Sequence, residues 1–107
     1  MTRYLIQGTY TPEGAKGILA QGGTSRWKQI DKMIADLGGK LESLYWAFGD
    51  VDLFLVAELP DAATAAAMGL TVGGAGAVRT TTTVLVTAEE MDQARDKKVG
   101  YQVPKAS

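Results

Sequence analysis

At 107 residues the chain has the size of one domain, and its 46% hydrophobic and 21% charged residues are the balance of an ordinary globular protein. A net charge of −1 offers no broad electrostatic footprint for nucleic acid or an acidic membrane. The absence of both Cys and His removes thiol nucleophiles, disulfides, Cys/His zinc sites, His-dependent triads and His-ligated haem, which leaves Asp, Glu, Lys, Tyr and water for acid–base work.

No apolar run approaches the ~20 residues of a membrane span, and Met1 to Gly8 hold no long apolar stretch of secretory type, so a cytoplasmic protein is expected. Arg3 to Thr9 reads as a strand, with Gly8 marking a bulge or a close backbone approach. Thr11-Pro12-Glu13 is a helix start: Thr as N-cap, Pro at the first helical position, an acid in the first turn. That helix breaks at Gln21-Gly22-Gly23. Thr24 and Ser25 offer fresh caps, and Trp27, Ile30, Met33, Ile34 and Leu37 recur at three- and four-residue steps, predicting a second helical segment with one buried stripe. Gly38-Gly39 ends it. Lys40 to Phe48 and Asp52 to Leu59 read as two strands around a Gly-Asp turn. Asp61 caps an Ala-rich helix over Ala62 to Leu70, which Gly73-Gly74-Ala75-Gly76 closes. Ala77 to Val86 is a Thr-rich last strand. Thr87-Ala88-Glu89-Glu90 is a capping-box pattern opening a short helix to about Lys98, and Val99 to Ser107 is an irregular tail.

The order β-α-β-β-α-β, then a helix, is the split βαβ pattern of an α+β, ferredoxin-like fold: a four-stranded antiparallel sheet with the helices on one face and the first helix broken in two. Residues 1–107 form that single domain. In the third strand, Leu53, Leu55, Ala57 and Leu59 share one face, and Asp52, Phe54, Val56 and Glu58 the other. In the second, Leu41, Tyr45 and Ala47 lie opposite Leu44, Trp46 and Phe48 in a nearly unbroken apolar run. A sheet covered on one face alternates more cleanly than this. The economical reading is a second copy of the chain against the second face, giving a dimeric α/β barrel; the plainer alternative is a monomer with some exposed aromatic residues.

Several segments resemble one family. They are Tyr10-Thr11-Pro12-Glu13-Gly14 with Lys16-Gly17, then Gly22-Gly23-Thr24-Ser25-Arg26 and Leu37-Gly38-Gly39-Lys40-Leu41-Glu42-Ser43. Tyr45-Trp46-Ala47-Phe48-Gly49-Asp50-Val51-Asp52, Gly76-Ala77-Val78-Arg79-Thr80 and Thr87-Ala88-Glu89-Glu90 follow in the same order. Together, over about residues 3 to 100, they resemble the GYD-domain family of bacterial small proteins, in the dimeric α/β-barrel superfamily. The resemblance implies the fold and the pairing of copies, and no settled function. The family's naming motif has Tyr directly before Asp, where this sequence has Val51.

Candidate site residues each have a structural alternative. Gly22 to Arg26 is a Gly-rich turn into a helix N-terminus, suited to an anion with Arg26 as the added charge, or simply a capped helix restart. Asp50 and Asp52 point the same way if extended and could share a proton or a divalent cation, or serve only a turn and a strand start. Glu42 and Glu58 are acids inside apolar strands. They either pair with Arg79 and Arg3 across the sheet or form the polar end of a cleft. Tyr10, Tyr45 and Trp46 line such a cleft or fill the core. The expected ligand-binding set is therefore Arg26, Tyr45, Asp52, Phe54, Glu58 and Arg79, beside the hairpin and against the Gly22–Arg26 segment or a neighbouring subunit, with no metal and no cofactor. The expected partners are further copies of the chain and a small anionic or aromatic ligand. The leading reading is a small-molecule-binding homo-oligomer. A cofactor-free enzyme of isomerase or monooxygenase type using Asp, Glu, Arg or Tyr is the alternative, and a structural assembly module a further one.

Overall fold

The computed structural model describes residues 1–106; Ser107, the last residue of the expected tail, lies outside the described residues. The elements run β1 (Thr2–Tyr10), α1 (Pro12–Gln21), α2 (Gly23–Asp36), β2 (Lys40–Trp46), β3 (Leu53–Leu59), α3 (Ala62–Ala75), β4 (Val78–Leu85) and α4 (Ala88–Asp96). The four strands form one antiparallel sheet in the order β2-β3-β1-β4, the ferredoxin-like arrangement. The residues after α4 are irregular.

Alternation in β1 and β3 builds the sheet's two faces. Tyr4 and Ile6 of β1 and Leu53, Leu55, Ala57 and Leu59 of β3 point at the helices and are buried with Ile30 and Ile34 of α2, Ala65 and Met68 of α3, and Leu41 and Leu44 of β2. Each large side chain so buried contributes about 1.5–3 kcal/mol, which makes this layer the main stabilising feature. The Ala-rich α3 lies chiefly over β4 and reaches β3, and it sends Ala65 and Met68 into the layer between helices and sheet.

The local signals act as their residue types require, with some corrections. The Thr11 hydroxyl accepts from the Gly14 amide at 3.3 Å, and Pro12 occupies the first turn. Helix α2 is capped by Gly22, at φ 82°, and not by a Thr24 or Ser25 side chain, because both residues already lie within the helix. Its buried stripe omits Trp27, which is exposed. The end of α2 is a Schellman turn: Gly38, at φ 82°, donates to the Ala35 carbonyl at 2.9 Å and Gly39 to the Ile34 carbonyl at 2.9 Å. Gly39 then runs so close to β3 that a Cβ there would stand 2.3 Å from the Glu58 carbonyl oxygen. Gly8 makes a close approach and not a bulge, its place filled by Val78 and Leu53 side chains. Helix α3 continues through Gly73 and Gly74 and stops at Gly76, which is left-handed at φ 81°. Strand β2 ends at Trp46, and residues 47–52 form a longer connection than a Gly-Asp turn.

The bulge lies in β2 instead. Leu41 pairs with Ala57 and Ser43 with Val56, so Glu42 is the extra residue. One extra residue reverses the facing of what precedes it, which puts Leu41 on the helix side with Leu44 and Trp46, and Ser43 and Tyr45 on the other.

Candidate functional site

The sheet face away from the helices is uncovered in the protomer. Its cross-strand rows follow from register. Ser43, Val56, Leu5 and Thr83 form one row, Tyr45, Phe54, Gln7 and Thr81 the next, and Thr9 and Arg79 pair beyond it. The centre of this face is apolar: Leu5, Phe54 and Val56 are half-buried among themselves, and Tyr45 is 71% exposed.

One end of the face holds a charge cluster. Arg3 stands opposite Glu58 in the β1–β3 pairing, and the bulge swings Glu42 to the same guanidinium. Arg3 Nε donates to Glu42 Oε1 at 2.9 Å, and Nη2 donates to both Glu42 Oε1 at 2.6 Å and Glu58 Oε1 at 3.0 Å. The hydrogen bond from Arg3 holds the Glu42 carboxyl below its ordinary value of 4.5. The same bond, with the charges of Glu42, Glu58 and Glu90, raises the already high value of Arg3. Arg3 thus serves both acids. Arg79, expected to share the task, does not reach either, because register sets it across from Thr9 at the far end of β1.

At that far end, Gln7, Thr9, Val51, Arg79, Thr80 and Thr81 surround a recess of about 260 Å³. It offers a guanidinium, an amide and hydroxyl groups on one wall, and among the described residues no carboxylate lies within ion-pair distance of Arg79. An exposed cation among neutral donors is a recognition element for a carboxylate, sulfate or phosphate group.

The remaining expected residues divide. Asp52 sits at the rim, where Oδ2 accepts from the Tyr10 amide at 2.9 Å and its own amide donates to the Gly8 carbonyl at 2.9 Å, so its observed work is to hold the hairpin connection to the end of β1. Asp50 adds only a backbone carbonyl, bonded by the Thr9 hydroxyl. Trp46 Nε1 donates to the Tyr10 hydroxyl at 2.9 Å, which ties β2 to the same corner. Arg26 lies on the opposite side of the sheet, under α2 beside Ile30, Leu53 and Leu55, and donates to Gln29 Oε1 at 3.0 Å. The structure therefore brings Tyr45, Phe54, Glu58 and Arg79 to one face and separates Arg26 from them. The β1 residues Gln7 and Thr9 were missed. Strand alternation alone places both on the face of Leu5, and that signal was in the sequence.

A larger cleft, of about 470 Å³, separates α2 from α3 and is lined chiefly by Met33, Leu37, Met68 and Val72. Size favours it as a binding site. Its chemistry does not, because its two charged side chains, Lys32 and Asp36, are paired with each other at 2.7 Å. Among the described residues, no group of three or more His, Cys, Asp or Glu gathers as for a metal ion, and no helix is long and apolar enough to cross a membrane.

The family model for the GYD domain matches residues 4–94, from the third residue of β1 into α4. The chain belongs to the GYD-domain family. Neither a curated protein nor a solved structure matches it. In this GYD domain the position directly before Asp52, where the family's naming motif has Tyr, is held by Val51, and Val51 lines the Arg79 recess. The wall there is an aliphatic surface without a phenol, and the polar side chains of the recess are those of Gln7, Thr9, Arg79, Thr80 and Thr81.

Proposed function

We propose that this GYD domain is a small-molecule-binding homo-oligomer whose copies pair through the open sheet face, with an anionic ligand held at the seam by Arg79. The observation that carries the reading is the pairing of an apolar sheet centre with a recess whose cation, among the described residues, has no carboxylate within ion-pair distance. A second sheet laid on Leu5, Phe54 and Val56 would roof that recess and lower its dielectric, which strengthens an Arg–anion contact. Phe54 and then Tyr45 continue the row of Gln7 and Thr81 across the sheet from the recess and suit an aromatic or aliphatic body attached to the anionic group. Binding is favoured over proton-transfer chemistry by the state of the acids. Glu42 is held ionised by Arg3, and Asp52 is bonded to a backbone amide.

Native mass spectrometry of the protein taken from cells tests both halves together. An assembly of two or more copies with a retained small anion is the expected result, as is loss of that anion with the assembly intact in Arg79→Ala. Titration with benzoate and inorganic phosphate, followed by thermal shift, separates an aromatic carboxylate from a simple anion. A monomer without adduct, or an Arg79→Ala protein that keeps the ligand, refutes the proposal.

A further inference from the structure

The C-terminal arm has no place on its own protomer. Helix α4 packs substantially against no other element, and residues 97–106 are irregular. The chain's radius of gyration is 17.2 Å, against about 13 Å for a compact domain of this length. The arm nonetheless carries large apolar side chains in water: Met91, Val103, Val99 at 82% exposure and Tyr101 at 68%.

A helix of nine residues does not persist by itself, since isolated helices shorter than ~12–15 residues are marginal in water. The Thr87–Glu90 capping box secures its first turn only. A surface that accepts the Met91 side of α4 and the Val99–Val103 stretch is what the arm lacks.

We infer that the arm, residues 88–106, packs on a second copy of this chain, extending across the seam formed by the open sheet faces. The inference rests on the sheet-to-sheet pairing proposed above. Three observations select a second copy as the occupant. First, the arm arises at the rim of the uncovered face: Leu85 stands opposite Arg3, and Glu90 lies near enough to add to the field on the Arg3 guanidinium. Second, the sheet alone is small. The large apolar side chains of its outer face are few, chiefly Leu5, Tyr45, Phe54 and Val56, and Met91, Val99, Tyr101 and Val103 from each copy would add to the apolar area that a pairing buries. Third, the arm is electrically balanced. Glu89, Glu90, Asp92 and Asp96 are matched by Arg95, Lys97, Lys98 and Lys105, which suits a mixed-charge protein surface better than an anionic lipid surface or nucleic acid.

Hydrogen exchange of the full chain read by mass spectrometry tests this directly, with the assembly state followed by sedimentation on the same samples. In the paired protein the α4 amides should exchange at least tenfold more slowly than in an unstructured peptide, and that protection should vanish on dilution to monomer. Met91→Asp and Tyr101→Asp, at positions exposed in the protomer, should raise the dimer dissociation constant at least tenfold while leaving the protomer's circular dichroism unchanged. Unprotected α4 amides in a dimer, or unaltered dissociation in both variants, overturn the inference. Protection that appears only with vesicles of anionic phospholipid, independent of protein concentration, assigns the arm to a membrane and also overturns it. The two readings fail separately. If Phe54→Asp dissociates the dimer and the arm variants do not, the seam stands without the arm; if the arm variants dissociate it and Phe54→Asp does not, the arm stands and the sheet-face seam is wrong.

Discussion

Replacing Gly39 by Ala should destabilise this domain for a steric reason that the backbone angle does not supply. Gly39 closes the turn after α2 and is pressed against β3. An added Cβ would stand 2.3 Å from the Glu58 carbonyl oxygen, 2.9 Å from Leu59 Cδ2 and 3.2 Å from Ile34 Cγ2. Ordinary contact starts near 3.4 Å, so the turn must lift by about 1 Å from a strand whose carbonyl cannot rotate away. Overpacking costs typically 1–3 kcal/mol, and a backbone obstacle beside fully buried Ile34 and Leu59 puts this site at the upper end. Ala reduces unfolded-chain entropy by ~0.4–1 kcal/mol in compensation, leaving a net loss of about 2 kcal/mol. Two other glycines, Gly38 and Gly17, serve as references. Gly38→Ala meets only the Pro60 ring at 3.4 Å but must hold φ at 82°, a conformational cost of about 1 kcal/mol. Gly17→Ala, in α1 with open space around it, should gain about 0.5–1 kcal/mol. Urea denaturation at fixed protein concentration, with unchanged slope, gives all three values. A Gly39→Ala loss no larger than that of Gly38→Ala would refute the close-approach argument.

Removing the Arg3 guanidinium as Arg3→Met should lower stability at pH 7, and the difference from the native protein should shrink as pH falls. The folded Glu42 value is depressed, so its contribution is present above the ordinary 4.5 and lost as pH falls through the folded value; thermal melts at pH 7, 5 and 3 follow it. The same sign applies to Asp61, whose carboxylate accepts from the Thr64 hydroxyl and amide, so Asp61→Ala should lower the melting temperature at pH 7 and lower it less at pH 3. Asp52→Ala leaves the part-buried Tyr10 amide without its acceptor and should cost about 1–2 kcal/mol by urea denaturation, while Asp52→Asn, which keeps an acceptor oxygen, should cost less. Trp46→Phe breaks the bond to the Tyr10 hydroxyl and should cost about 1 kcal/mol by the same assay.

The order of elements was legible because each has its own chemical signal: Thr-Pro-Glu for α1, the stripe from Ile30 to Leu37 for α2, Asp61 for α3, the Thr87 box for α4. The open face of β3 was legible too, since Phe54, Val56 and Glu58 alternate with buried Leu and Ala. What could not be read is register. Arg3 and Arg79 lie on the two strands that could supply a cation, and only the pairing of Arg3 with Glu58 and of Thr9 with Arg79 decides between them. The bulge at Glu42 was hidden by the apolar run from Leu44 to Phe48, which has no alternation to reveal a change of phase. Arg26 and Trp27 show the same difficulty in a helix: a stripe shifted by one residue leaves the aromatic side chain exposed and Arg26 half-buried beside Ile30. The Gly73-Gly74 pair failed as a helix stop because an exposed helix end tolerates about 1 kcal/mol per Gly while the turns before it are anchored by Met68 and Val72.

The strand order β2-β3-β1-β4 has a consequence for how the protein is made. Strand β1 is synthesised before both of its neighbours, yet it pairs with β3 on one side and β4 on the other. At ribosomal rates of ~5–20 residues per second, a nascent chain carries Tyr4, Leu5 and Ile6 for several seconds before Leu53 to Leu59 emerge, and for longer before Val78 to Leu85. The two edges of the finished sheet, β2 and β4, close on a central strand that has waited for both. Within this domain the sheet is therefore complete only once β4 has left the ribosome, and until then the apolar β1 segment is one on which a chaperone would act.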